Sequence, residues 1–188
     1  MTLVRPPSAF TVARVRAIDI SVNWRWAPVL FLGTWLLAQN VLPARFPTWE
    51  LSTSWLTSAA AVLSGEAALL LHELSHALLA RRKGHQVARI IFHGFHAQTV
   101  VDERLPAPAD EVLIALVGPV LNVALASVAE VLRLVCSTQP PLDVYLLMFV
   151  IGNAATAAMS IVPFGGSDGA RALAALRATG SGCPSRRE

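Results

Sequence analysis

Long apolar runs alternate with short polar stretches along the chain, and this pattern predicts helices that cross a membrane. The runs contain roughly 20 residues each, the length that a helix needs to cross the hydrocarbon core of a bilayer. They cover about residues 26–42, 55–79, 112–135 and 144–162. We therefore predict an all-α polytopic membrane protein with about four transmembrane helices. A single domain is expected over residues 1–180, with a flexible tail at 181–188.

The stretch after the second apolar run has a different character. Residues Val87–Phe92 and Ala97–Val101 are strand-prone and are joined through His93-Gly94-Phe95-His96, a pattern that predicts a small β-hairpin or a re-entrant loop. Residues 15–22 are a further candidate for a short strand, ahead of the first helix. After the fourth run, Pro163-Phe164-Gly165-Gly166 ends the helix, and residues 168–178 are expected to form a short amphipathic helix.

The composition agrees with a membrane protein and excludes an ordinary soluble domain. Hydrophobic residues make up 54% of the chain and charged residues 14%, against about 25% charged residues in soluble globular proteins. The net charge is +3, but the basic residues flank the apolar runs, which is how membrane proteins use them. We therefore expect the lipid bilayer, and not a nucleic acid, as the partner of this charge.

The basic residues also predict an orientation. If the N-terminus is cytoplasmic, thirteen of the 15 Lys and Arg residues fall on the inner side, and only Arg45 and Arg133 fall outside. Short cytoplasmic loops are enriched in Lys and Arg. The sequence thus predicts a multi-pass protein of the cell membrane with both termini in the cytoplasm.

Candidate chemistry lies in the second run, which contains His72-Glu73-Leu74-Ser75-His76, an HExxH motif. Histidines at positions i and i+4 lie on one face of a helix and can bind one Zn²⁺, while the intervening Glu73 can take a proton from water at the metal. The alternative is a pair of histidines bonded to neighbouring helices, with Glu73 protonated or in a salt bridge. Ionisable groups within a spanning segment favour the functional interpretation.

A catalytic zinc typically has three protein ligands, so a third is needed. Asp168 follows the fourth run in a glycine-rich segment, and two further crossings return the chain to the membrane side of His76. Glu66 lies about 9 Å from His72 along the helix, too far to share the metal. Asp168 is therefore the preferred third ligand. The alternative role for Asp168 is the N-cap of the short helix that follows.

These motifs together resemble the site-2 protease family of intramembrane zinc metalloproteases. The matching stretches are the HExxH motif at 72–76, the segment 163–171 with Asp168-Gly169, the Gly-Pro-x-x-Asn pattern within 115–122, and Phe92-His93-Gly94 after the motif helix. The segment around Asp168 departs from the family pattern, with Ser160 in an Asn position and Gly166-Ser167 in place of Pro-Leu. These changes predict a less constrained loop.

The resemblance implies an activity and a set of roles. It implies a zinc metalloendopeptidase that hydrolyses peptide bonds within transmembrane segments, with one Zn²⁺ and its active site near the cytoplasmic side. The expected substrate is a single-pass membrane protein. His93, Gly94 and Asn153 are expected to contact the substrate, although for Asn153 an interhelical hydrogen bond is the alternative.

Two other functions remain open at this stage. The same fold can serve as a catalytically weak or inactive scaffold or binding protein. A transporter is the third class, in which intramembrane acids form an ion path. Bound zinc would separate the first two classes from the transporter, and cleavage that depends on Glu73 would separate the protease from the scaffold.

Overall fold

The computed structural model describes residues 9–15, 18–85, 87–92, 97–101, 107–136 and 139–180. Its elements, in chain order, are strands β1 (Ala9–Val15) and β2 (Ile18–Asn23), helices α1 (Trp26–Arg45) and α2 (Leu51–Arg82), strands β3 (Val87–Phe92) and β4 (Ala97–Val101), and helices α3 (Pro108–Cys136), α4 (Pro140–Ile161) and α5 (Asp168–Gly180). The helices dominate, as the sequence predicts.

Helices α1 to α4 are each long and apolar enough to cross a membrane, which confirms the prediction of four spans. Helix α1 contains a π-helical turn at Leu37–Val41. Helix α2 has 32 residues and is therefore about 48 Å long. This exceeds the ~30 Å of a bilayer core, so α2 extends beyond the hydrocarbon region.

The four strands form one sheet in the order β1-β2-β3-β4. Strands β2 and β3 are parallel, with helices α1 and α2 as the connection between them, and the two outer pairs are antiparallel. The predicted hairpin is present as β3 and β4, but it belongs to a larger sheet. The short strand expected at 15–22 is present as β2, and a further strand, β1, precedes it. The missed strand, β1, is an edge strand whose residues 10–14 are all exposed, so burial imposes no alternation of apolar and polar residues on its sequence.

The apolar core lies where the sheet meets the ends of the helices. It is formed by Ile18, Ile20, Val22, Ala77, Ala80, Val87, Ile90 and Ile114. In the helical bundle, by contrast, many large apolar side chains point outward, and Leu63 and Val120 are 55% and 63% exposed. Small residues such as Ala126 and Ala157 are buried instead, as is typical of helices that pack closely within lipid.

Ion pairs mark the two ends of the bundle. At one end, Lys83, which caps the C-terminus of α2, pairs with Asp110 of α3 at 2.8 Å. At the other end, Arg133 pairs with Glu130 at 2.8 Å and with Asp143 of α4 at 3.0 Å. Asp110 and Glu130 are about 30 Å apart along α3 at 1.5 Å per residue. That spacing is close to the thickness of the hydrocarbon core, as expected for two groups of charges at the two surfaces of a bilayer.

Candidate metal centre

Three side chains from two distant segments meet inside the bundle. His72 and His76 lie one turn apart on α2, and their Nε2 atoms are 3.1 Å apart. The Oδ2 atom of Asp168, at the start of α5, lies 3.2 Å from Nε2 of His72 and 3.3 Å from Nε2 of His76. Both histidines are buried, with exposed fractions of 3% and 4%.

The orientation of each imidazole is fixed from its other side. Nδ1 of His72 donates to Oδ1 of Asn122, and Nδ1 of His76 donates to the backbone carbonyl of Ile114 at 2.6 Å. Because each Nδ1 faces an oxygen acceptor, the hydrogen lies on Nδ1 and Nε2 presents its lone pair. Partners of this kind hold metal-binding histidines in the correct tautomer.

The three converging atoms fit a metal ion. Two imidazole lone pairs and a carboxylate oxygen are all acceptors, so a cation is needed between them. Three ligands at about 2.0–2.1 Å from a tetrahedral zinc ion would lie about 3.3 Å from one another, close to the separations of 3.1, 3.2 and 3.3 Å found here. Two histidines and one carboxylate, with a fourth position left open, are a known ligand set of catalytic zinc.

Helix α3 leaves the space that such an ion requires. A Cβ atom added to Gly118 would clash with Nε2 of His76 and would lie 2.7 Å from Nε2 of His72. The next residue, Pro119, is buried inside the helix. Since proline has no backbone N–H, it removes one bond of this helical turn, next to the carbonyl of Ile114 that holds His76. The Gly118-Pro119 pair thus places backbone, and not a side chain, against the two histidines.

The loop before Asp168 is tied by the side chain of Ser167. Its Oγ donates to the carbonyl of Val162 at 2.6 Å and accepts from the backbone N–H groups of Phe164 and Ala170 at 3.3 and 3.2 Å. The bond from Ala170 is the N-cap bond of α5. Ser167 provides the cap, which leaves the side chain of Asp168 available to the histidines. Ser167 thus makes three hydrogen bonds in this part of the segment, and a less constrained loop stays a prediction.

Two glycines shape the same loop. Gly165 and Gly166 have φ angles of 44° and 88°, a backbone region that other residues rarely adopt. Gly169 lies so close to the carbonyl of Ile161 that a Cβ atom would overlap it. The segment can therefore turn sharply after α4 and bring Asp168 back towards α2.

The carboxyl group of Asp168 is ionised in this position. Burial alone would raise its pKa, but its close contacts with His72 and His76 outweigh burial and hold the pKa of Asp168 well below its usual range. Its second oxygen, Oδ1, faces Arg171 of the same helix, 3.6 Å from Nη1. An ionised carboxylate is the form that binds a metal.

A cavity of about 700 Å³ adjoins His72 and Asp168. Glu73, Asn153, Thr156 and Ser160 line it together with Asp168. Glu73 follows His72 directly on α2 and lines the same cavity. Along α3, Gly118 lies about 12 Å from the charged end at Asp110 and about 18 Å from the end at Glu130. The centre is thus inside the bundle but nearer to the Asp110 end.

The other residues singled out in the sequence have different positions. Asn153 lines the cavity, but its Oδ1 accepts a hydrogen bond from Asn122 at 2.8 Å and its Nδ2 donates to the carbonyl of Phe149. The expected interhelical hydrogen bond is therefore present, and it continues the chain of contacts from His72. His93 and Gly94 lie outside the described residues, so their role in substrate contact stays a prediction.

Glu66 also borders the cavity. Its Oε2 accepts a hydrogen bond from the indole Nε1 of Trp26 at 3.1 Å. Sequence reasoning did not identify Glu111 and Arg171, which form an ion pair of 2.8 Å next to Asp168. They are 60 positions apart, and no sequence spacing connects them.

Comparisons with known proteins agree with this arrangement. A protein of Mycobacterium tuberculosis named "Putative zinc metalloprotease Rip3" is 31% identical over 119 residues, which is 63% of this chain and 30% of that protein. A Synechocystis protein named "Putative zinc metalloprotease sll0528" is 27% identical over 169 residues, or 88% of this chain and 43% of that protein. The chain thus spans less than half the length of these relatives. No family model matches the chain.

A solved structure shares the fold. The Site-2 Protease from Methanocaldococcus jannaschii superposes with a TM-score of 0.61 over 91% of this chain and 72% of that one. The sequence identity is 16%, so this similarity describes the fold alone.

Proposed function

The chain belongs to the site-2 protease family, and from this premise we propose that it is an intramembrane zinc metalloendopeptidase that cuts peptide bonds in transmembrane segments. The observation that carries the proposal is the meeting of His72, His76 and Asp168 beside the cavity that Glu73 lines. The relatives' names support a zinc-dependent peptidase.

In this proposal one zinc ion is held by His72, His76 and Asp168, with Gly118 behind it. When bound, zinc polarises the scissile carbonyl and makes water a stronger nucleophile at neutral pH. Glu73 accepts the proton of the attacking water and later delivers it to the leaving amine. Asn122 and the Ile114 carbonyl keep the two imidazoles oriented during this cycle.

The cavity determines which peptide bonds can reach the centre. It lies nearer the Asp110 end of the bundle, so water has a short path from that side and the scissile bond must lie at the same depth. A transmembrane helix has its amides bonded internally, so a substrate segment must unwind before it is cut. The sheet order makes β4 an edge strand. An unwound segment can pair with such an edge by strand addition. We propose that His93 and Gly94, which follow β3 in the sequence, contact this segment.

We propose a single-pass membrane protein as the substrate, because one unpaired helix can enter the cavity from the bilayer and unwind without disturbing a folded bundle. Asn153 keeps a place at the wall of this cavity, although its amide is engaged with Asn122 and Phe149. We therefore propose that Asn153 contacts the substrate only through the part of its side chain that lines the cavity. Its amide group stays bonded to Asn122 and Phe149.

The proposal is tested with the purified full chain in liposomes together with a tagged single-pass segment that carries helix-weakening glycines near one end. We expect cleavage that stops on treatment with a zinc chelator and returns with added zinc.

The Asp168→Asn variant should insert normally, because Ser167 caps α5, yet lose most zinc and activity, because a neutral amide is a weaker ligand. Zinc binding without any cleavage would contradict the protease and favour the inactive scaffold.

The orientation is also proposed. The basic residues favour cytoplasmic termini, which places the metal centre on the cytoplasmic side of the membrane. Cys136 is exposed at the end of α3 and should react with a membrane-impermeant maleimide in intact cells. In a Cys136→Ser, Cys183→Ser background, Ser52→Cys should react likewise, whereas Arg82→Cys should react only after permeabilisation. Labelling of Arg82→Cys in sealed cells would reverse the orientation.

A further inference from the structure

One ion pair lies directly behind the candidate third ligand. Arg171 of α5 approaches Oδ1 of Asp168 with Nη1 at 3.6 Å, and its Nε donates to Oε1 of Glu111 at 2.8 Å. The side chains of Asp168 and Glu111 are 14% and 18% exposed. The two oxygens of Asp168 therefore have different neighbours, the histidines on one side and Arg171 on the other.

We infer that Arg171 and Glu111 are positioning residues of the metal centre, with Arg171 orienting the carboxylate of Asp168 and Glu111 holding Arg171. This inference rests on the proposed zinc site. It adds that two residues from different helices, Arg171 of α5 and Glu111 of α3, support the third ligand, Asp168.

The geometry of α5 explains why such support is needed. Asp168 is the first residue of a short helix and follows two glycines with positive φ angles, Gly165 and Gly166. Ser167 fixes the backbone of this turn, but it does not fix the rotation of the Asp168 side chain. A functional ligand has to be held to within about 0.5 Å by its neighbours. Arg171, one turn along the same helix, is the neighbour that contacts the second oxygen.

The charges explain why Arg171 has a partner. A guanidinium beside a metal site repels the metal ion, and at short range inside a protein this repulsion is substantial. The carboxylate of Glu111 compensates the charge of Arg171. It also occupies Nε and leaves Nη1 for Asp168. Loss of Glu111 should therefore weaken metal binding even though Glu111 does not touch a ligand.

Glu111 is one of four residues on the same face of helix α3 that are connected with the candidate metal centre. Glu111, Ile114, Gly118 and Asn122 are spaced by three, four and four residues, so they lie on one face of the helix. Through Arg171, the Ile114 carbonyl and the Asn122 amide, this face supports each of the three candidate ligands, and Gly118 leaves room for the ion.

The alternative is that the pair only joins α3 to α5. A neighbouring ion pair provides the matched control, because Lys83 and Asp110 also lie 2.8 Å apart and join two helices without contacting a ligand. A charge swap separates the two roles. Glu111→Arg with Arg171→Glu restores the link between the helices, but it puts an acid beside Oδ1 of Asp168 in place of the guanidinium.

The experiment measures zinc affinity of the full chain in detergent by competition with a chelator, and thermal stability in parallel. Arg171→Gln and Glu111→Gln should each weaken zinc binding by about tenfold to a hundredfold, the usual effect of losing an outer partner of a metal ligand. Asp110→Asn should keep the wild-type affinity. The swap should recover stability but remain at least about tenfold weaker in zinc binding.

Two outcomes would overturn the inference: single variants that bind zinc as tightly as Asp110→Asn, or a swap that restores wild-type affinity. Because the readout is zinc binding, these outcomes are distinct from a failure of the proposed protease. A wild-type chain that binds zinc without cleaving a substrate would contradict the proposed protease. It would not contradict the positioning role of Arg171 and Glu111.

Discussion

Gly118→Ala is expected to abolish zinc binding while the protein still inserts and folds. Alanine is favourable in a helix, so α3 should not be weakened. Its methyl group, however, would lie 2.7 Å from Nε2 of His72 and closer still to Nε2 of His76, where the ion has to lie. We expect zinc affinity to fall by more than about 100-fold, beyond the range for losing an outer partner, and proteolysis to be lost with it.

Gly33→Ala is the matched control. It makes the same change in helix α1, where the added Cβ would meet only Val62 at an ordinary 3.7 Å. Zinc content by elemental analysis and affinity by chelator competition should match the wild type in this variant. If Gly118→Ala also retains wild-type affinity, then the metal does not lie between the two imidazoles and Gly118.

Glu73→Gln has the second largest expected effect. Unlike Gly118→Ala, it should reduce the cleavage rate without changing zinc affinity. Glutamine has nearly the same shape but cannot accept a proton, and Glu73 is not among the three candidate ligands. We therefore expect wild-type zinc affinity together with a loss of about 10²–10⁴-fold in cleavage rate, the usual contribution of a general base. Single-turnover cleavage of the tagged segment in liposomes measures this rate.

Glu66→Gln serves as its control, because Glu66 lies on the same helix and borders the same cavity. It is about 9 Å from His72 along α2, and a glutamine oxygen can still accept the hydrogen bond from Trp26. This variant should retain most of the activity. An active Glu73→Gln protein with an inactive Glu66→Gln protein would make Glu66 the base instead.

The motif helix shows how much of the candidate site is predictable. His72, Glu73 and His76 lie on one helix, so the periodicity of the helix alone places the two imidazoles together. Asp168 required a further step, which combined membrane depth, the need for a third ligand and the resemblance to a family. The structure brings its carboxylate to both histidines. The capping role considered for Asp168 belongs instead to Ser167, since only the folded loop decides which oxygen reaches the helix N–H groups.

The sheet shows which parts of the fold cannot be predicted from the sequence. The hairpin of β3 and β4 was predictable because its strands are neighbours in sequence. Strand β1 was not identified, and the parallel pairing of β2 with β3 joins residues such as Ile20 and Ile90 across two transmembrane helices. The pairing of β2 with β3 depends on how α1 and α2 pack, and no local pattern of residues in the sequence predicts it.

The sequence by itself determined the four spans and the histidine pair, because hydropathy and helical periodicity act over a few turns of chain. Only the tertiary structure decided what surrounds that pair. The Ile114 carbonyl that holds His76 is a backbone atom, which carries no signal of residue type. The approach of Gly118 and the pairing of Glu111 with Arg171 depend on the positions of α2, α3 and α5 relative to one another. Those positions result from packing between segments tens of residues apart.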